Sequence, residues 1–303
     1  MDNIFNLTTE MRNKRTMNID NMSTIEMLTV INEEDQKVAL AVKEALPKIA
    51  EAVDAVYESL KNGGKLFYVG AGTSGRIGIL DAVECPPTYS TPSWLVQAVM
   101  AGGSVAMEKA KEGAEDREDQ GAIDLEERNL TELDVVIGIA ASGRTPYVTG
   151  ALKYAKKLGA KAISLTSNKS SLISQYADIK IEVETGPEVI TGSTRMKAAS
   201  AHKMILNMIS TSSMIKVGKV YENLMVDLHV SNKKLEQRAK QIVSTITGVS
   251  IEEAGQILAK SNNQVKPAIV MIKSGTSFEK AKEAIEEAKG FVRQAIQIAK
   301  NHA

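Results

Sequence analysis

Three stretches of this chain combine glycine, hydroxyl and arginine residues in a way that suits the capture of a small anion. They are Gly70-Ala71-Gly72-Thr73-Ser74-Gly75-Arg76, Ala140-Ala141-Ser142-Gly143-Arg144-Thr145 and Thr191-Gly192-Ser193-Thr194-Arg195. Glycine lets backbone amides approach an oxyanion, a helix entry aims its positive end at one, and Ser or Thr adds donors. Each stretch alone also suits a capped turn. Their recurrence at three helix entries implies a small phosphorylated ligand. The binding residues singled out are Gly72, Thr73, Ser74 and Arg76, then Ser142, Gly143, Arg144 and Thr145, then Ser193 and Thr194.

The first stretch also spells G-x-G-x-x-G. A dinucleotide site further requires an acidic residue about twenty positions on, at the end of the second strand. Residues 94–103 contain no carboxylate, which argues against NAD. A P-loop requires Gly-Lys-Ser/Thr, whereas Gly75 precedes Arg76-Ile77. A plain strand-to-helix turn remains the competing reading.

One carboxylate stands out by its position as a proton carrier. Pro86-Pro87 predicts that the preceding helix ends near Cys85. Asp81 and Glu84 then occupy its last turn, at the negative end of the dipole. Such a position raises a carboxyl pKa, which suits a general acid. A solvated carboxylate at a helix end is the alternative. Glu115 lies in the acidic run 112–118, which by itself reads as a solvated face. His202 is a candidate proton-transfer residue, against the commoner packing role for a helix-face histidine. Met204, Met208 and Met214 suit core or dimer packing better than a cofactor site.

The elements that must carry these residues alternate. Residues 36–61 show apolar spacing of helical period, and Ser23-Thr24-Ile25-Glu26 fits a capping box. Short β-prone runs follow at 65–69, 95–100, 135–140, 162–165 and 179–183, separated by helical segments near 103–128, 145–158 and 169–176. This alternation predicts an α/β fold with a parallel sheet covered on both faces. A long helix follows Thr194. In such a sheet the loops gather at the carboxyl ends of the strands, where ligands bind. After residue 230 the strand signals stop, with breaks at 248–250, 262–263, 274–275 and Gly290. The expected division is a catalytic domain over 1–230 with an N-terminal helical arm, and a small helical, UBA-like domain over 231–303.

Composition limits the function. Lys+Arg and Asp+Glu each number 37 in 303 residues, so no global basic field attracts nucleic acid or a membrane surface. The start is polar and the longest apolar runs are too short to span a bilayer, which reads as a cytoplasmic chain. Cys85 is the one cysteine, so no intrachain disulfide forms. His202, His229 and His302 are scattered, and no Cys/His spacing resembles a metal site.

The loops resemble those of the SIS-domain phosphosugar-binding family, whose second loop often has serine where this chain has Ala140. The chain is more closely similar to the N-acetylmuramic acid 6-phosphate etherase family. That resemblance rests on Leu7-Thr8-Thr9-Glu10, Ser23-Thr24-Ile25-Glu26, Ile31-Asn32-Glu33-Glu34-Asp35, the first loop and Glu84-Cys85-Pro86-Pro87-Thr88. It continues through Glu112-Gly113-Ala114-Glu115-Asp116, the second loop to Tyr147, Thr191 to Lys197, and Asn223-Leu224-Met225-Val226-Asp227. Val83 departs from it by standing where a small residue is usual.

The resemblance implies a three-layer SIS sandwich, a homodimer, and a lyase that splits the D-lactyl ether of a 6-phosphorylated amino sugar in cell-wall recycling. It places the functional glutamates at Glu84 and Glu115. Elimination of lactate followed by addition of water changes no oxidation state overall, so it calls for no redox cofactor, and acid–base chemistry of this kind requires no metal. Two carboxyl groups suffice, with Glu84 read as the acid and Glu115 as the base. A non-catalytic sugar-phosphate sensor and an aldose–ketose isomerase remain open as alternatives.

Overall fold

The computed structural model describes residues 7–109, 111–228 and 233–301. His229 and His302 lie outside the described residues, as does the expected boundary at 230 and 231. The chain divides into two compact units. One comprises the chain up to Val83 with Trp94–Ser210, and the other Glu84–Ser93 with the chain from Thr211.

The first unit opens with short 3-10 turns between Thr8 and Asn21, then the 38-residue helix α1 (Thr24–Lys61). The capping box is real: Glu26 accepts the Ser23 amide at 2.8 Å and its hydroxyl at 2.6 Å. The inward stripe of α1 includes Val30, Val38, Val42, Ile49, Val53 and Val56. Five strands follow: β1 (Leu66–Gly70), β2 (Val96–Met100), β3 (Val135–Ile139), β4 (Lys161–Thr166) and β5 (Ile179–Glu182). They form one parallel sheet in the order β2-β1-β3-β4-β5. Leu66 pairs with Val96 on one side and Val135 on the other.

The helices between them are α2 (Gly72–Tyr89), α3 (Glu118–Glu126), α4 (Pro146–Leu158) and α5 (Lys197–Lys216). Successive strand residues face opposite sides. Phe67, Val69 and Val136 pack with Tyr147, Val148 and Leu152 of α4. Tyr68 faces the other way and donates its hydroxyl to Asp81 of α2 at 2.7 Å. Asp81 also accepts Asn207 Nδ2 at 2.5 Å and Ser210 Oγ at 3.1 Å, tying α2 to both β1 and α5. This is the three-layer arrangement expected.

Three helix expectations need correction. The segment 103–128 is helical only as a 3-10 turn at Ser104–Met107 and as α3, while residues 169–176 give a 3-10 turn at Ile173–Tyr176. Nor does α2 stop near Cys85. It runs through Pro86 and Pro87 to Tyr89. Buried Cys85 and Tyr89 hold the extra turn, which Ser90 N–H closes on the Pro86 carbonyl at 2.9 Å. The prolines cost α2 the amides that would meet the Ala82 and Val83 carbonyls. Glu84 and Asp81 are therefore inside the helix, and the helix-end premise for Glu84 is wrong.

In the second unit, a small antiparallel hairpin, β6 (Val220–Tyr221) and β7 (Leu224–Met225), accompanies five helices. These are α6 (Lys233–Thr247), α7 (Ile251–Lys260), α8 (Val265–Ser274), α9 (Phe278–Glu287) and α10 (Val292–Asn301). Their common core includes Val243, Leu258, Ile269, Val270, Ala281 and Ala295. The ammonium groups of Lys219 and Lys266 share Asp227 at 2.9 and 2.7 Å. No described helix is long and apolar enough to cross a membrane.

Candidate functional site

The strand order reverses direction between β1 and β3, and a ligand crevice is expected at the carboxyl ends of strands on either side of such a reversal. The first loop follows β1 and the second follows β3, so the fold brings these two together. Gly70 and Gly75 are packing residues. A Cβ on Gly75 would meet the Gly70 carbonyl oxygen at 2.8 Å, so only glycine lets α2 start this close to β1. Because α2 begins at Gly72, the amides of Gly72, Thr73 and Ser74 are those that a helix leaves without intrahelical acceptors. Thr73 and Ser74 are half-buried there.

Gly72 lines a cavity of about 220 Å³ together with Arg76, Met100, Lys111, Glu112 and Glu115. Arg76 does not present its full guanidinium to a ligand. Its Nε donates to the Met107 carbonyl at 3.0 Å and its Nη2 to the Ala106 carbonyl at 2.9 Å. It thereby holds the Ser104–Met107 turn against α2, and its part in the site is first of all to shape the wall.

Glu115 lies in the irregular segment between that turn and α3, with its side chain exposed at the cavity. Its main chain is fixed: the Tyr147 amide, in the first turn of α4, donates to the Glu115 carbonyl at 3.0 Å. Pro146 at the first helical position has no amide, and Thr145 makes no side-chain cap. The second loop thus spends the entry of α4 on holding Glu115. The tie is reinforced one turn later, where α3 touches α4. A Cβ at Gly150 would lie 1.8 Å from the Glu118 carbonyl oxygen. The Tyr147 hydroxyl donates to Asp124 of α3 at 2.5 Å. Burial and that carboxylate push the phenol well above its ordinary range.

Elsewhere in the second loop, the Gly143 amide bonds the Ala140 carbonyl at 3.0 Å, and the Arg144 amide donates to Ser142 Oγ at 3.3 Å. An anion here would have to compete with Ser142 for the Arg144 amide. Ser142, Arg144 and Thr145 are all half-buried, and Gly143 is buried.

The third loop is built differently from the first two. It does not follow a strand directly, and the entry of α5 is already filled. Buried Glu188 accepts the amides of Lys197 at 3.0 Å and Ala198 at 2.9 Å. Burial raises its carboxyl pKa, against the pull of the two amides. Ser193 and Thr194 stand just upstream, half-buried, and are not among the residues lining the cavity of Glu115. The Lys197 ammonium is almost fully buried and bonds Glu34 of α1 at 2.7 Å. Thr9 pins the same region, its carbonyl accepting the Gly192 amide at 3.2 Å.

Glu84 is exposed on α2 and belongs to the second unit, whereas the cavity of Glu115 lies in the first. His202 is fully buried on α5, its Nε2 3.1 Å from Ser167 Oγ. Burial lowers its pKa to about 4, which favours the neutral imidazole.

The sequence reading missed Lys111, Tyr147, Glu188 and Lys197 as parts of the site and its supports. For Lys197 a signal existed, since it ends the stretch beginning at Thr191. Tyr147 likewise ends the stretch that begins at Ala141, but its residue type carries no signal, because its backbone does the positioning.

Comparison with known proteins follows the same division. The family model for the glucokinase regulatory protein N-terminal SIS domain matches residues 48–156, the SIS domain matches 106–213, and the C-terminal lid domain of glucokinase regulatory protein matches 222–274. N-acetylmuramic acid 6-phosphate etherase 1 of Bacillus licheniformis is 59% identical over 292 residues, covering 96% of each chain. The N-acetylmuramic acid 6-phosphate etherase of Bacillus subtilis is 57% identical over 295 residues, covering 97% of each. Among solved structures, a phosphoheptose isomerase from Francisella tularensis superposes with a TM-score of 0.50 at 20% identity, over 64% of this chain and all (100%) of that one. That likeness shows the fold.

Proposed function

This chain belongs to the N-acetylmuramic acid 6-phosphate etherase family, and from that membership we propose how it acts as a carbon–oxygen lyase on N-acetylmuramic acid 6-phosphate. The products are N-acetylglucosamine 6-phosphate and D-lactate. The observation that carries the site assignment is the cavity in which Glu115 faces the opening turn of α2.

The C6 phosphate sits on the amides and hydroxyls of Gly72, Thr73 and Ser74, with Ser142, Gly143, Arg144 and Thr145 as the second wall. Ser193 and Thr194 contribute from the third loop. The open-chain aldehyde acidifies the proton on C2. Glu115 removes it, the electron pair forms the C2–C3 double bond, and the C3–O bond breaks. Glu84 protonates the departing lactate oxygen. Water then adds at C3, a proton returns to C2, and the ring closes. Support for these roles is the family's pattern of two glutamates and the backbone tie that holds Glu115 beside the first loop.

The chain works as a cytoplasmic homodimer in cell-wall sugar recycling, with residues 1–230 as the catalytic domain and 231–303 as a helical appendage. For the dimer the support is the exposed apolar pair Leu80 and Val83 on the helix face that carries Glu84. Lactate release from the phosphorylated muramic substrate tests the reaction. Deuterium exchange at C2 survives Glu84→Gln and is abolished by Glu115→Gln; the opposite pattern would exchange the two roles.

A further inference from the structure

The substrate carries two separate anions, and the phosphate loops account for only one. The lactyl carboxylate hangs on the C3 ether, next to the carbon that loses its proton, while the phosphate is at the far end of the carbon chain on C6. A cation that recognises the carboxylate must therefore lie beside the base.

The cavity of Glu115 shares a wall with a second cavity of about 550 Å³. Met100, Lys111, Glu112, Gly113 and Ala114 line both. Four cations border the two spaces, and three are committed. Arg76 bonds the Ala106 and Met107 carbonyls. Arg117 pairs with Asp119 at 2.9 Å. Arg128 donates to the Asp124 carbonyl at 3.3 Å. Lys111 is the fourth, and it has no ion pair or hydrogen bond among the described residues. Its stem lies across Gly102, whose φ is +86°. A Cβ there would meet Lys111 Cδ at 3.1 Å and Cβ at 3.2 Å. The glycine thus leaves room for the lysine stem on the shared wall. Glu112 is on that wall too and Glu115 lines the smaller cavity beside it, so a substrate carboxylate entering without a counter-charge would be repelled.

Resting on the function proposed above, we propose that Lys111 is the specificity residue for the lactyl carboxylate, holding it by an ammonium–carboxylate hydrogen bond while Glu115 works at C2. Lys111 takes no proton and makes no covalent bond. It fixes the leaving group and selects ethers that carry an acid.

The test compares the natural substrate with its lactamide ether, in which the carboxylate is a neutral carboxamide. Lys111→Gln lowers kcat/KM for the acid by about 10- to 100-fold, the range for a hydrogen bond to a charged group. The loss falls mainly on KM, release from the amide is unchanged, and Lys111→Arg retains most of the preference. Deuterium exchange at C2 of N-acetylglucosamine 6-phosphate, which has phosphate but no lactyl group, is unchanged in Lys111→Gln. Equal losses on acid and amide, or no loss on either, overturn the proposal. A rise in KM for the exchange reaction would assign Lys111 to the phosphate and overturn it as well. If the wild-type chain exchanges C2 but shows no preference for acid over amide, only the role of Lys111 fails. If it releases lactate from neither ether, the functional reading fails and takes this one with it.

Discussion

Replacing Lys197 by methionine tests the link between the N-terminal region and the third loop. Glu34 and Lys197 are both buried, at 2% and 1% side-chain exposure, and meet at 2.7 Å. Arg15 at 3.2 Å and Lys37 at 2.5 Å also meet Glu34, but both are nearly half exposed, and buried Asn13 adds a further hydrogen bond. Burial pushes the Glu34 carboxyl up, yet hydrogen bonds from Lys197 and Lys37 and the Lys197 charge outweigh it and bring the pKa to about 2 from 4.5. At about 1.36 kcal/mol per unit, that shift is worth at most about 3 kcal/mol. Solvent screening trims the Arg15 and Lys37 shares. Removing Lys197 leaves a buried carboxylate with Asn13 and its solvent-side partners, so Lys197→Met costs about 2–3 kcal/mol, somewhat less than breaking a buried pair usually costs. For a unit of this size the melting temperature falls by about 4–12 °C. Calorimetry at neutral pH reads this.

The pH dependence gives an independent check. A carboxyl with a depressed folded pKa contributes stability above its unfolded value and loses it as pH falls through the folded one. The wild-type chain therefore loses this contribution between pH 4.5 and about 2, and Lys197→Met makes that decline shallower. A Glu34→Leu, Lys197→Met double variant is more stable than Lys197→Met alone, because no charge is left stranded. A Lys197→Met chain that melts with the wild type and keeps the same acid slope would refute the reasoning.

Two more predictions concern the supports of the site. Gly150→Ala drives a methyl into the Glu118 carbonyl, costs about 1–3 kcal/mol, and lowers the rate of C2 exchange by moving Glu115; a variant with unchanged exchange would show that the α3–α4 contact does not place the base. The folded pKa of His202, about 4, lies below its ordinary 6.5, so its contribution is present above pH 6.5 and is lost as pH falls towards 4. His202→Asn flattens the fall of the urea midpoint between pH 7 and pH 5 and keeps lactate release at pH 7, whereas a ring-opening role would abolish it.

What the sequence made legible follows from the range of the forces involved. Strand runs such as 135–140 are buried on both faces, so apolar content alone marks them, and β3 at Val135–Ile139 lies where the pattern put it. The caps and breaks of the C-terminal helices are likewise local. Pro86-Pro87 misled for the same reason: a local preference against helix was overridden by burial of Cys85 and Tyr89, a tertiary effect. The Glu34–Lys197 pair spans 163 positions, and no pattern along the chain connects them.

Glu115 is the sharpest case. Its type and its acidic neighbours suggest a solvated face, and its side chain is in fact exposed. The family resemblance singles it out as a candidate base, and what fixes it at the cavity is a bond from the Tyr147 amide to its main-chain carbonyl, at the mouth of the loop after β3. Any residue at position 115 would offer that carbonyl, and any residue but proline at 147 would offer that amide. The tie therefore leaves no mark on residue type at either end. Substituting the Glu115 side chain should thus remove the chemistry and leave the segment in place, which is why Glu115→Gln is a cleaner test of the base than any change to the loop that holds it.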